Sequence, residues 1–258
     1  MNRSSNPTIA ELREVTQPLS ITGRSNAEHW VADLYLRRIS PYITRLLLKT
    51  PITANGVTYL MIVTGISISG ALLIPGILGL LLAFFFSQLQ MLWDCCDGEI
   101  ARWRNTQSPK GVFLDRLGHY LAEGLIPIAL ALRINSWPES PASNYSILFT
   151  ASLISLLILL NKALNDSVHV ARAFSGLPKI ADAREVAIPQ NPVVRIARAP
   201  FKVLAVQRLF HSVEMTFVVL LFQGNEKIIS WGLYVAVFVT LGHLVAILSS
   251  KKLSGETS

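Results

Sequence analysis

The stretch Asp94–His119, DCCDGEIARWRNTQSPKGVFLDRLGH, begins where the apolar run Gly76–Trp93 ends and leads into a second run, Val112–Leu132. Its aspartates, Asp94, Asp97 and Asp115, and its histidine, His119, stand three, eighteen and four residues apart. Carboxylates at the edge of a membrane are costly unless they bind cations or are otherwise paired. If the first run continues as a polar helix through Arg102, then Asp94, Asp97, Gly98 and Ala101 fall at i, i+3, i+4 and i+7 and share one face. Two positions on that face lack bulk, which leaves room for a ligand near the backbone. Residues Asn105–Lys110, with Ser108-Pro109, read as a turn. A second helix starting near Gly111 carries Gly111, Asp115, His119 and Glu123 at steps of four. So short a loop makes the two helices antiparallel neighbours, and their polar faces meet at the membrane boundary. Hard divalent ions such as Mg²⁺ take oxygen ligands and bridge phosphates, and a pair of them can clamp a phosphoryl group. The cluster therefore reads as a metal-dependent phosphotransfer site. The plainer alternative is a salt-bridge cluster built with Arg102, Arg104 and Arg116.

Composition sets the frame around this hairpin. Of 258 residues, 51% are hydrophobic and 15% charged, with mean hydropathy +0.45. That balance excludes an ordinary soluble domain. A span needs about 20 apolar residues, and six segments qualify: 54–74, 76–93, 112–132, 145–164, 209–222 and 228–248. The fifth is interrupted by His211 and Glu214. The expected fold is all-α and polytopic, with six transmembrane helices. Before them, Trp30, Val31, Leu34, Ile39, Tyr42, Ile43, Leu46 and Leu47 recur at helical spacing among Arg37, Arg38, Arg45 and Lys49. That pattern predicts an amphipathic interfacial helix broken near Ser40-Pro41; packing on the protein's own core is the alternative. Residues 1–28 read as a polar tail without an apolar signal segment, a candidate for disorder. Residues 29–250 form one membrane domain and 251–258 a second tail.

The formal net charge is +7, and the basic residues cluster beside apolar spans, which suits anionic lipid headgroups and gives no sign of a nucleic-acid partner. Six spans place both termini on one side, together with Arg37–Lys49, Arg102–Lys110, the Pro-punctuated block Arg172–Arg208, and Lys251-Lys252. Only Arg133 and Lys227 fall opposite. The positive-inside rule then puts the termini and Asp94–His119 in the cytoplasm. The two cysteines, Cys95 and Cys96, are adjacent and build no disulfide framework; they read as reduced packing residues.

At these residues the chain resembles the CDP-alcohol phosphotransferase family, whose signature is DxxDGxxARx8GxxxDxxxD. Asp94, Asp97, Gly98, Ala101, Arg102, Gly111 and Asp115 match it in spacing. Thr53-Ala54-Asn55-Gly56-Val57-Thr58 echoes a TPNxxT element, with Ala54 for the proline. The resemblance implies six helices over about residues 30–250 and transfer of a substituted phosphate from a CDP-linked donor, such as CDP-diacylglycerol, to an alcohol acceptor with release of CMP, as in phospholipid synthesis. It implies that Asp94, Asp97 and Asp115 hold one or two Mg²⁺ or Mn²⁺ ions. It also implies that Gly98, Ala101, Arg102 and Gly111 line the cytidine-diphosphate pocket. Membrane lipids, and a second copy of the chain, are the expected partners.

The chain departs from the signature at its last position, where the family has an aspartate that both binds metal and acts as base. His119 admits three readings. It is the general base; or it is a metal ligand that favours Mn²⁺, Co²⁺ or Zn²⁺ over Mg²⁺; or the chain binds nucleotide with little turnover. Glu123, one turn on, could orient the imidazole or partner a basic residue on a neighbouring helix. Lys162, Asn165, Asp166, His169, Arg208, His211 and Glu214 are candidates for an acceptor pocket, with snorkelling as the alternative for Lys162 and Arg208. Trp93 and Trp103 read as interface anchors. A divalent-cation transporter is a more distant alternative, since no polar path crosses the outer halves of the spans.

Overall fold

The computed structural model describes residues 3–18, 32–139, 144–177, 210–250 and 253, and every regular element among them is helical. In chain order these are α1 (Ile9–Thr16), a π-helical turn (Ala32–Leu36), α2 (Arg37–Leu48), α3 (Ala54–Leu72), α4 (Gly76–Arg104), α5 (Pro109–Ile134), α6 (Tyr145–Phe174), α7 (Ser212–Leu221) and α8 (Lys227–Leu248). Helices α3, α4, α5, α6 and α8 are long and apolar enough to cross a membrane. The chain is thus a multi-pass membrane protein of all-α class. The fifth apolar segment appears as the ten-residue α7, about 15 Å long at the rise of an α-helix and half the hydrocarbon thickness. The basic block from Pro178 to Arg208 lies outside the described residues.

Local chemistry sets the boundaries that matter for the hairpin. Thr53 caps α3 by accepting from the Gly56 amide at 3.0 Å. Between α3 and α4 the chain reverses at Pro75-Gly76. Gly76 takes φ +74°, and a Cβ on Gly79 would stand 2.1 Å from the Ile74 carbonyl oxygen, so both positions need glycine. Arg133 closes this end: its guanidinium donates to the carbonyls of Leu72, Ile74 and Gly76, which the helix end leaves unsatisfied. Helix α4 ends on Asn105 in the left-handed region, φ 53°. Ser108 then caps α5, accepting from the Gly111 amide at 3.1 Å, with Pro109 at the first helical position. The second helix therefore starts two residues before the expected Gly111, and the connecting loop is only Asn105–Ser108.

Helix α2 runs unbroken through Pro41, against the expected break at Ser40-Pro41. The irregularity sits just upstream, in the π-helical turn. The Arg37 carbonyl, one turn before Pro41, is left open because proline has no N–H, and Gln17 Nε2 donates to it at 2.8 Å. Helix α2 turns Ser40, Pro41, Thr44 and Leu48 inward and leaves Leu34, Ile39, Tyr42 and Leu46 about half exposed or more.

The polar tail is partly ordered. Thr8 and Glu11 form a capping box at the start of α1. Fully buried Leu12 joins Leu48, Ala54, Val57, Cys96, Ile100 and Trp103 in one apolar cluster. Trp103 is consequently a core residue here, its indole N–H donating to Ser4 O at 2.9 Å, with Arg3 over its ring. Cys95 and Cys96 are buried free thiols. A separate apolar core, including Ile68, Leu80, Ala122, Ile126, Ile158 and Ala236, fills the span bundle.

One buried acid joins these parts. Glu99 is fully buried on α4. It accepts from Ser40 Oγ at 2.5 Å, Thr44 Oγ1 at 2.6 Å and Gln17 Nε2 at 2.8 Å. In Glu99→Ala, two buried hydroxyls, Ser40 and Thr44, and the half-buried Gln17 amide lose an acceptor, and the expected loss is on the order of 3 kcal/mol. Chemical unfolding in detergent measures it, and trypsin cleavage at Arg13 should accelerate because α1 loses its anchor. Unchanged unfolding and cleavage would contradict this role.

Candidate metal and nucleotide site

The aspartates of α4 meet α5 because small residues let α3 approach both helices closely. A Cβ on Gly65 would lie 2.9 Å from the Ala122 Cβ, and one on Gly118 would meet Met61 and Ile62. Such small-residue contacts are how helices pack closely in membranes. Gly118 and Ala122 flank His119 and Glu123 on α5, so this contact sets how deep those side chains sit.

His119 stands between the two acidic faces. Its Nε2 is 3.4 Å from Asp94 Oδ1 and 3.6 Å from Asp115 Oδ1. One ligand atom from each of Asp94, Asp115 and His119 lies within 4.8 Å of the others. Two carboxylates and an imidazole so arranged suit a divalent ion. An N,O,O donor set accepts Mn²⁺, Co²⁺ or Zn²⁺ at least as readily as Mg²⁺. Asp97, expected in the same set, stands outside this group of three. Its Oδ2 accepts from Thr58 Oγ1 at 2.6 Å, which ties it to α3.

The residues expected to line a nucleotide lie on α4 and at the start of α5. The Arg102 guanidinium arches over Gly98, with Nη1 and Nη2 3.1 and 3.2 Å from where a Cβ there would stand. Its Nε donates to Thr16 O at 2.7 Å, so the end of α1 fixes this side chain. Gly111 faces Asn55, whose Oδ1 would be 3.2 Å from a Cβ. Ala101 is partly exposed on the same stretch of α4. Arg104 is turned away and donates to the carbonyls of Leu48, Thr50 and Ile52. Both arginines donate to backbone carbonyls of other segments.

Deeper in the bundle, Glu123 is buried at 1% exposure. Lys162 Nζ lies 2.6 Å from its Oε2, and Oε1 lies 3.2 Å from His211 Nδ1 and 3.5 Å from His119 Nδ1. Glu123 thus lies near His119 and also partners basic groups of neighbouring helices, and Lys162 turns inward to an ion pair where snorkelling was the alternative. Asp166 accepts from Tyr120 Oη at 2.6 Å and pairs with Arg116, leaving those groups on the flank of the cluster. Arg208 lies outside the described residues. Sequence reasoning assigned no role to Thr58, Gln90 or Ser212. Thr58 had a signal, because it closes the Thr53–Thr58 element. Gln90 and Ser212 meet only through tertiary packing.

The sequence profile of CDP-alcohol phosphatidyltransferases matches residues 51–183, just over half of the 258 residues. The chain belongs to the CDP-alcohol phosphatidyltransferase family. No individual curated protein sequence matches it. The profile covers α3 to α6, which carry every member of the acidic cluster, whereas α1 and α2, which brace the cluster from behind, lie before it.

Gly65→Ala puts a methyl against Ala122, whose own methyl cannot yield. The expected cost is about 1–3 kcal/mol in detergent unfolding. Adding Ala122→Gly moves the space to the other helix and should restore most of the stability. A double variant no better than the single would contradict the close-contact account.

Proposed function

We propose that this protein transfers a substituted phosphate from a CDP-linked alcohol to a second alcohol and releases CMP, using divalent metal at Asp94, Asp97, Asp115 and His119. The observation that carries this is the convergence of Asp94, Asp115 and His119, with ligand atoms within 4.8 Å, inside a matched family signature. Asp94, Asp97 and Asp115 would hold one or two ions, with Thr58 orienting Asp97. A divalent ion bound there would neutralise diphosphate oxygens and template the in-line displacement. Gly98, Ala101, Arg102 and Gly111 surround the space assigned to the donor's cytidine diphosphate.

In the transfer step, His119 Nε2 receives the proton of the acceptor hydroxyl. The acceptor oxygen forms a bond to the phosphorus that carries the donor's alcohol group. The bond from that phosphorus to the CMP oxygen breaks, and CMP leaves. The same nitrogen would bind metal if His119 serves as a ligand, so both roles require its lone pair to face the cluster. The clustering of arginine and lysine at this end of the spans supports a cytoplasmic site. The outward apolar side of α2, Leu34, Ile39, Tyr42 and Leu46, supports contact with lipid at that surface. The family supports a donor such as CDP-diacylglycerol and a role in phospholipid synthesis.

The test is CMP release by purified protein given CDP-diacylglycerol or other CDP-alcohols, with Mg²⁺ or Mn²⁺. Turnover should vanish in EDTA and in Asp97→Asn, and fall about 10²- to 10⁴-fold in His119→Ala, the range of a general base. Full activity in EDTA sinks the proposal, and robust turnover by His119→Ala sinks the role of that residue. CDP binding without CMP release would favour a nucleotide-binding relative, the second reading that the histidine at the last signature position supports.

A further inference from the structure

Each ring nitrogen of His119 has a different surrounding. Nε2 faces Asp94 and Asp115. Nδ1 faces two groups of opposite character: Glu123 Oε1 at 3.5 Å, an acceptor, and Gln90 Nε2 at 3.5 Å, a donor. The Gln90 amide is not free to exchange its ends. Its Oε1 accepts from Ser212 Oγ at 2.6 Å, which turns the NH₂ toward the ring. If Nδ1 accepts from Gln90, Nε2 carries the proton and has no lone pair for the cluster. If Nδ1 donates to Glu123, Nε2 is bare and aimed at the cluster. Asp94 Oδ1 also lies 3.4 Å from Nε2, but with Asp94 and Asp115 engaged by the proposed cation the acceptor left to the ring is Glu123, and a buried carboxylate is a stronger partner than a neutral amide, so Glu123 prevails over Gln90.

Glu123 is itself held in place. Lys162 on α6 binds Oε2 at 2.6 Å, and His211 at the start of α7 reaches Oε1 at 3.2 Å. Both groups come from helices that contribute nothing to the Asp94–Asp115–His119 cluster. A carboxylate that fixes the tautomer and orientation of an active imidazole tunes a metal or base site from behind.

We infer that Glu123 is a positioning residue that accepts the hydrogen bond of the His119 Nδ1–H and so directs the Nε2 lone pair at the acidic cluster, with Lys162 and His211 holding Glu123 for that task. This rests on the proposal that His119 acts at the cluster through Nε2. The function of α6 and α7 near the site is then to fix a carboxylate.

The test is ¹⁵N NMR of the full-length protein labelled at histidine, in detergent with Mg²⁺. The chain has five histidines, and His119→Ala assigns the signals. The expected spectrum has His119 with a protonated Nδ1 and a bare Nε2. In Glu123→Leu/Lys162→Met, which removes both charges together and strands neither, the ring should pass to the Nε2–H form. There kcat should fall about 10- to 100-fold while the donor KM stays near wild type. Glu123→Gln, which keeps the volume, should give a mixture of the two forms. An Nε2–H or doubly protonated His119 in the wild type overturns the inference, as does a double variant that keeps the wild-type tautomer. The wild-type spectrum decides even if a variant fails to fold. An Nε2–H ring in a protein that releases CMP overturns this inference alone. The expected tautomer in a protein that releases none fails the transfer proposal and leaves the positioning intact.

Discussion

Like charges gathered at a membrane boundary must be neutralised, and much of this structure follows from where each carboxylate finds its partner. Glu99, Glu123 and Asp166 are satisfied by groups of the protein itself. Asp94 and Asp115 converge on His119, whose Nε2 lies 3.4 and 3.6 Å from them, and the three side chains give their ligand atoms a common centre. Helix α4 therefore has two acidic faces. One is locked by hydroxyls and an amide; the other carries the cluster assigned to a cation.

The division of labour along α4 explains the chain before the first span. Glu99 binds Ser40 and Thr44 of α2 and Gln17 just past α1, while three residues on Arg102 reaches the last carbonyl of α1. The N-terminal helices thus brace the back of the segment whose front carries Asp94, Asp97 and Gly98. Helix α2 turns Ser40 and Thr44 inward and Ile39, Tyr42 and Leu46 outward, the arrangement that suits a helix between protein and lipid.

Much of the hairpin was legible in the sequence, for physical reasons. The spacing of Asp94, Asp97, Gly98 and Ala101 can serve only a helix face, and a loop as short as Asn105–Ser108 forces antiparallel neighbours. The steps of four from Gly111 to Glu123 put Asp115 and His119 on one stripe of the second helix, the stripe whose polar face meets that of the first. Less was legible where tertiary contact decides. The capping box at Thr8 and Glu11 was written in the chain, yet its helix is ordered by burial of one leucine and by Trp103. A single tryptophan near a membrane edge looks the same whether it anchors in lipid or caps a core. Pro41 signals a break, and the Arg37 carbonyl it leaves open is filled by Gln17, a residue 20 positions earlier in the chain. Glu123 could be placed beside His119 by its spacing, whereas Lys162 and His211 arrive from helices whose rotation about their axes the sequence does not set. His211 and Glu214 weakened the fifth apolar segment, and its described helix is correspondingly short, with its polar side turned to Gln90 and Ser87.

The central claim is that Asp94, Asp115 and His119 enclose a divalent ion near Asp97. Anomalous scattering from the protein crystallised with Mn²⁺, recorded at the manganese edge, addresses it directly. The account predicts a peak between the Asp94 and Asp115 carboxylates, within bonding distance of at least two of the three side chains, and its loss in Asp115→Asn. A manganese peak elsewhere with this cluster empty, or side chains that collapse onto one another in saturating Mn²⁺, would contradict it.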